Sequence, residues 1–175
     1  FNVSIDYLLS HEINDTSIDS FINELKDCLL NNEFTVSIDD IKLWCSKYNN
    51  NFKLHIHSAD YLYVAFFNNY NEEYLDLALS FINKAIALFN PEYNEMISLN
   101  ELYTGVAQIK KKKKKYDLAQ EYVKKHNVYG CELLLAKCDL SLKNYDNAFE
   151  LASEIYLNST SNIINASYIQ IIVLL

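Results

Sequence analysis

Apolar residues recur every three or four positions through most of this chain, and the clearest run is 133–156. Its first half carries Leu133, Leu134, Leu135, Ala136, Leu140 and Leu142; its second carries Ala148, Phe149, Leu151, Ala152 and Ile155. Lys143-Asn144-Tyr145-Asp146 lies between them. This spacing predicts two amphipathic helices joined by a tight turn. The small residues Ala136 and Ala148 fall where two antiparallel helices must come close. A helix pair of this kind cannot cover its own apolar face, so it needs neighbours built the same way.

The period continues along the rest of the chain. Ser4 is an N-cap candidate, and Ile5, Leu8 and Leu9 share one face of a short helix. His11 to Thr16 reads as a polar linker. Thr16 or Ser17 then opens a helix to about Asn31, with Ile18, Phe21, Ile22, Leu25, Cys28 and Leu29 as its stripe. Ser37-Ile38-Asp39-Asp40 is close to a capping box, and the helix after it carries Ile38, Ile41, Leu43, Trp44 and Tyr48. A second pair breaks at Asn68-Asn69-Tyr70-Asn71, with Leu62, Ala65, Phe66 and Phe67 before and Leu75, Ala78, Ile82, Ala85 and Leu88 after. A third places Leu102, Tyr103, Val106, Ala107 and Ile109 ahead of Tyr116, Leu118, Ala119, Tyr122 and Val123. The predicted hairpins span about 16–50, 54–90, 96–125 and 129–157, and residues 161–175 start another.

Tyr116-Asp117-Leu118-Ala119 aligns without a gap on Tyr145-Asp146-Asn147-Ala148. Pro91 follows the second pair and turns the chain toward the third. With Ala78, Ala85 and Pro91 at their places, the pairs resemble tetratricopeptide (TPR) units. The spacing is uneven: Ala78 to Ala119 is about 41 residues and Ala119 to Ala148 about 29, against about 34 for an ideal repeat. The expected fold is all-α, a right-handed superhelix of degenerate TPR-like helical hairpins.

Composition narrows this further. The 175 residues include two Gly and one Pro, too few for a sheet protein or a Gly-rich phosphate loop. The net charge is −8 and no Arg occurs, so these residues make a poor nucleic-acid surface by themselves. Cys28, Cys45, Cys131 and Cys138 all sit in helical patterns without a CxxC pair, which points to reduced thiols in a cytoplasmic protein. No stretch reaches the roughly 18 unbroken apolar residues of a membrane span. The glycosylation sequons at Asn2, Asn14, Asn158 and Asn165 are expected by chance in so Asn-rich a chain.

Little in the sequence points to chemistry. His55 and His57 flank Ile56, and His11 and His126 stand apart, so no ligand set for a metal emerges. Cys131 and Cys138 share a helix face about 10 Å apart, too far for a disulfide. No paired carboxylates, phosphate loop or Gly-rich oxyanion turn is present; the expectation is a non-enzyme without cofactor or metal. Lys110 to Lys115 reads as a solvated turn, or else as a contact for phosphate or an acidic partner. What remains is a surface. Stacked helical repeats form a concave groove lined by the first helix of each pair, suited to a peptide. Alignment on Ala78, Ala119 and Ala148 turns Tyr63, Phe67, Thr104, Gln108, Leu133 and Lys137 toward it, with Asn68, Asn69 and Tyr168 nearby. The apolar segment ending in Ile169, Ile172 and Leu175 must be covered, by further helices or by a second copy in a homodimer.

Asn2-Val3-Ser4-Ile5-Asp6-Tyr7-Leu8-Leu9 resembles the last helix of a Cro/repressor-type (XRE) helix-turn-helix domain. Joined to degenerate TPR hairpins, it resembles the peptide-sensing regulators of Gram-positive bacteria and their phages (the Rgg/PlcR-type, or RRNPP, group). That resemblance implies residues 1–10 as the tail of a DNA-binding domain otherwise absent here, and 16–175 as a sensor and dimerisation domain. It further implies a short signalling peptide in the groove, and DNA contact only through the absent N-terminal domain. A TPR scaffold or adaptor that holds a protein partner without a DNA-binding head is the alternative. A helix-turn-helix encoded upstream of Phe1 separates the two.

Overall fold

The computed structural model describes residues 5–90, 92, 97–158, 171 and 173, with no account of the side chains of 5–16 and 158. Among the described residues every regular element is a helix: α1 (Ile5–Asn31), α2 (Ile38–Lys47), α3 (Phe52–Asn69), α4 (Glu72–Leu88), α5 (Leu99–Lys112), α6 (Tyr116–Lys125), α7 (Glu132–Ser141) and α8 (Tyr145–Asn158). They fall into two compact units, residues 1–89 and 90–175. Tyr168, Ile169, Ile172 and Leu175 lie outside the described residues.

In the first unit α3 is the centre, and α1, α2 and α4 all pack on it. It buries Leu54, His55, Tyr61, Leu62 and Ala65 almost completely. The linker expected at His11–Thr16 does not exist, because α1 runs unbroken through it. None of those six residues is Gly or Pro, and each costs a helix at most about 0.7 kcal/mol relative to Ala. A break would leave a further set of backbone donors and acceptors unpaired. From Ile18 onward the stripe of Ile18, Phe21, Ile22, Leu25 and Cys28 is buried as its spacing requires. The chain then turns at Asn32, with φ 55°, and the amide of Glu33 reaches back to the Cys28 carbonyl at 2.9 Å. Ser37 caps α2 by accepting from the Asp40 amide at 3.1 Å. The α1–α2 pair meets through a Phe21–Trp44 ring stack, centroids 4.7 Å apart.

The α3–α4 pair is the tightest in the first unit. Ala65, Ala78 and Ala85 have no exposed surface, which lets the two backbones approach. Tyr70 makes the turn at φ 51°, and Asn71 caps α4. Lys42 of α2 meets Glu73 of α4 at 2.7 Å. Both side chains are exposed, so solvent screens that ion pair and it adds little to stability.

In the second unit α5–α6 and α7–α8 are two hairpins that repeat one another. Lys114 and Lys143 both turn left-handed, at φ 58° and 64°. The next amides, of Lys115 and Asn144, reach back to Lys110 and Asp139 at 3.0 and 2.9 Å. The amides of Ala119 and Ala148 then bond to Lys115 and Asn144, and neither alanine is exposed. Ala107 and Ala136, at the same offset in the preceding helices, are also fully buried. The turns are tied by two hydrogen bonds of the helix C-terminal type. Ser98 and Glu101 form a complete capping box at the start of α5.

Candidate ligand-binding faces

The face of α5 and α7 is set by how the two helices start. The side chain of Asn100 accepts from the Tyr129 amide at 3.0 Å and donates to its carbonyl at 3.2 Å. This levels the entry to α7 with the first turn of α5. Gly130 follows at φ 72°, a conformation that glycine takes without strain. One turn on, the Thr104 hydroxyl lies 3.6 Å from the Cys131 thiol while donating to the Asn100 carbonyl. Ala107, Leu134 and Cys138 then share one core cluster. The two helices therefore run side by side in the same direction.

That packing turns Gln108 out to solvent and leaves Thr104 and Lys137 half-buried. Gln108 and Lys137 occupy equivalent positions of the two repeats. Lys111, one turn beyond Gln108, is half-buried too. Burial pushes its ammonium below the ordinary lysine range, and the neighbouring charge of Lys137 pushes the same way. Among the described residues no carboxylate pairs with either lysine. Within the lysine run, Lys110 folds back over the Tyr122 ring at 5.3 Å, and Lys114 supplies the left-handed turn. An exposed amide beside two ammonium groups is equipped to hold a peptide backbone and an anionic group.

The second face belongs to α3. His57, Asp60, Val64 and Phe67 follow one another at three- and four-residue spacing, with Tyr63 beside them. Val64 and Phe67 are 37% and 40% exposed, which for an apolar pair on one helix face is a surface rather than core. Tyr63 and Phe67 meet edge to face, centroids 5.6 Å apart, and Asn68 is exposed at the last turn. Burial lowers His57 to about 4, helped by Lys26 of α1 and by Lys53. Asp60 reaches solvent, yet the crowding protein raises its carboxyl to about 6.

Tyr63, Phe67 and Asn68 lie on α3 in the first unit, and Thr104, Gln108 and Lys137 on α5 and α7 in the second. Asp60 and Val64 were missed, and Lys111 was named only as one of the Lys110–Lys115 run. Lys111 was masked by its place in a lysine run, and Asp60 by its ordinary look beside two histidines.

The four cysteines are buried and unbridged. Burial raises Cys45 and Cys138 to about 11, so both remain thiols at neutral pH. Among the described residues no three His, Cys, Asp or Glu side chains converge as metal ligands, and no helix is long and apolar enough to cross a membrane. Comparison with family models, curated proteins and solved structures gives no match to this chain.

Proposed function

We propose that this chain is the peptide-sensing and dimerisation domain of a bacterial or phage transcriptional regulator, working in the cytoplasm. The observation that supports it most is the α5–α7 face. There Gln108 and Lys137 recur at equivalent repeat positions, with Thr104 and Lys111 alongside. An extended peptide lying across such a face pairs its amides with Gln108 and an acidic group with the two lysines. The apolar α3 face, in the first unit, takes the side chains of a separate peptide segment.

The regulatory step is a population shift: the peptide favours one arrangement of the repeats over another. In a homodimer closed by Ile169, Ile172 and Leu175, that shift changes the spacing of two DNA-binding heads. The unbroken α1 is a suitable lever, because it carries residues 5–10, the tail of the proposed DNA-binding head, in one helix with the stripe that packs in the first unit.

Calorimetry with peptides encoded beside the gene tests the reading. A saturable isotherm is expected, with Gln108→Ala and Lys137→Ala each weakening it about five- to tenfold, the size of one hydrogen bond. Isotherms unchanged in both variants would overturn it. Sedimentation at micromolar concentration should give a dimer, and a monomer would remove the dimerisation part.

A further inference from the structure

A cavity of about 320 Å³ lies within the second unit, where α6, α7 and α8 meet. Its size is at the lower end of ligand pockets, which run from about 300 to 1,000 Å³. Leu135 of α7 and Leu151 of α8 line it, both half-buried. Three carboxylates in the lining, Asp139 of α7 and Glu150 and Glu154 of α8, outnumber its one ammonium, Lys124 of α6. Among the described residues none of these four takes part in an ion pair.

Asp139 separates this cavity from an ordinary acidic surface. Glu150 and Glu154 are exposed, but Asp139 keeps only 6% of its surface. Its backbone carbonyl is taken up by the amides of Leu142, at 3.1 Å, and Asn144, at 2.9 Å. What it gives the cavity is therefore its carboxyl group. Oδ1 accepts from the Asn144 side-chain amide at 3.1 Å. Oδ2 has no hydrogen-bond partner among the described residues. Nor is it sealed: among those residues the one buried side-chain polar atom without a partner is Nδ1 of His55, in the first unit. Oδ2 is thus within reach of a donor in the cavity.

The hairpin does not require a carboxylate at this place. Lys110 holds the corresponding position of the α5–α6 turn, where its carbonyl accepts from the Lys115 amide at 3.0 Å and its side chain lies over Tyr122. Drawing a carboxylate out of water without a cation costs stability, so Asp139 is better explained by a ligand than by the turn.

The lining defines a complement. With Oδ1 committed to Asn144, Asp139 offers one oxygen, which suits an ammonium better than the two-pronged fork of a guanidinium. Glu150 and Glu154, one turn apart on α8, supply a second negative pole. Leu135, one turn from Asp139, and Leu151, between the glutamates in sequence, favour methylenes. We propose that this cavity binds a free linear alkyl diamine, one ammonium on Asp139 and the other at Glu150 and Glu154. The site shares no residue with the peptide faces and does not rest on that reading.

The test titrates the whole chain, with ¹³C-labelled aspartate and ¹⁵N-labelled backbone, with 1,5-diaminopentane in the millimolar range at constant ionic strength. The Asp139 carboxyl resonance and the amides of α6, α7 and α8 should shift saturably. Asp139→Asn, which keeps the shape and the bond to Asn144, should weaken binding about tenfold, the size of one charge-assisted hydrogen bond. The double variant Glu150→Gln with Glu154→Gln, at exposed positions, should weaken it by a similar factor; if Asp139→Asn does not fold, this variant decides. 1-Aminopentane, with one ammonium, should bind about tenfold more weakly than the diamine. So should Nα-acetyl-lysine methylamide, which presents the ammonium as a protein side chain would. No saturable shift, equal binding of the diamine and either monoamine, or binding unchanged in the variants overturns the proposal.

Discussion

Tyr61 shows what a single residue does here that no local pattern announces. Its ring is buried, and its hydroxyl both donates to the Val36 carbonyl at 3.0 Å and accepts from the Val36 amide at 3.1 Å. It therefore satisfies an extended backbone segment that neither α1 nor α2 can satisfy. Tyr61→Phe should lower stability by about 1–3 kcal/mol, because both Val36 groups lose their partner; urea unfolding measures this. Asp60 is a second case. Its carboxyl titrates near 3.8 when unfolded and at about 6 in the fold, so the fold penalises the ionised form. The penalty is absent below about pH 4, grows between those values and is complete above about pH 6. Asp60→Asn should therefore be more stable than the parent at alkaline pH and equal to it in acid, read from melting curves across that range. Neither role was legible in the sequence. Val36 is far from Tyr61 along the chain, and the crowding around Asp60 is set by neighbours that only the fold brings together.

At the level of the elements, the spacing of apolar residues carried most of the information. The Ile18-to-Cys28 stripe, the Ser37 start signal and the alanines of each pair all read directly, since a buried helix face must repeat every three or four residues. The His11–Thr16 linker misread polarity as interruption, whereas only Gly, Pro or a true cap ends a helix firmly. The scarcity of glycine also has a consequence. Asn32, Tyr70, Lys114, Asn127 and Lys143 hold left-handed turns that glycine usually fills. An L side chain there costs about 1–2 kcal/mol, partly offset by the extra freedom of glycine in the unfolded chain. Lys143→Gly should raise stability by about 0.5–1 kcal/mol, seen as a higher midpoint in denaturant. In the opposite direction, Ser98→Ala removes the cap of α5 and should cost about 1 kcal/mol.

For the whole molecule, the match between the α5–α6 and α7–α8 turns means that repeat positions can be compared like for like. It brings Gln108 and Lys137 to corresponding places, which the Tyr-Asp-x-Ala alignment had already indicated. What the alignment left out was Lys111, because a run of six lysines does not say which of them comes to lie near Lys137. The account stands on the outward face of α5 and α7 being where another polypeptide binds. Its most direct test is an amide and side-chain NMR titration with peptides encoded beside the gene. The account predicts saturable shifts concentrated on Thr104, Gln108, Lys111 and Lys137. Shifts concentrated on α6 and α8 instead, or no saturable shift with any such peptide, would contradict it.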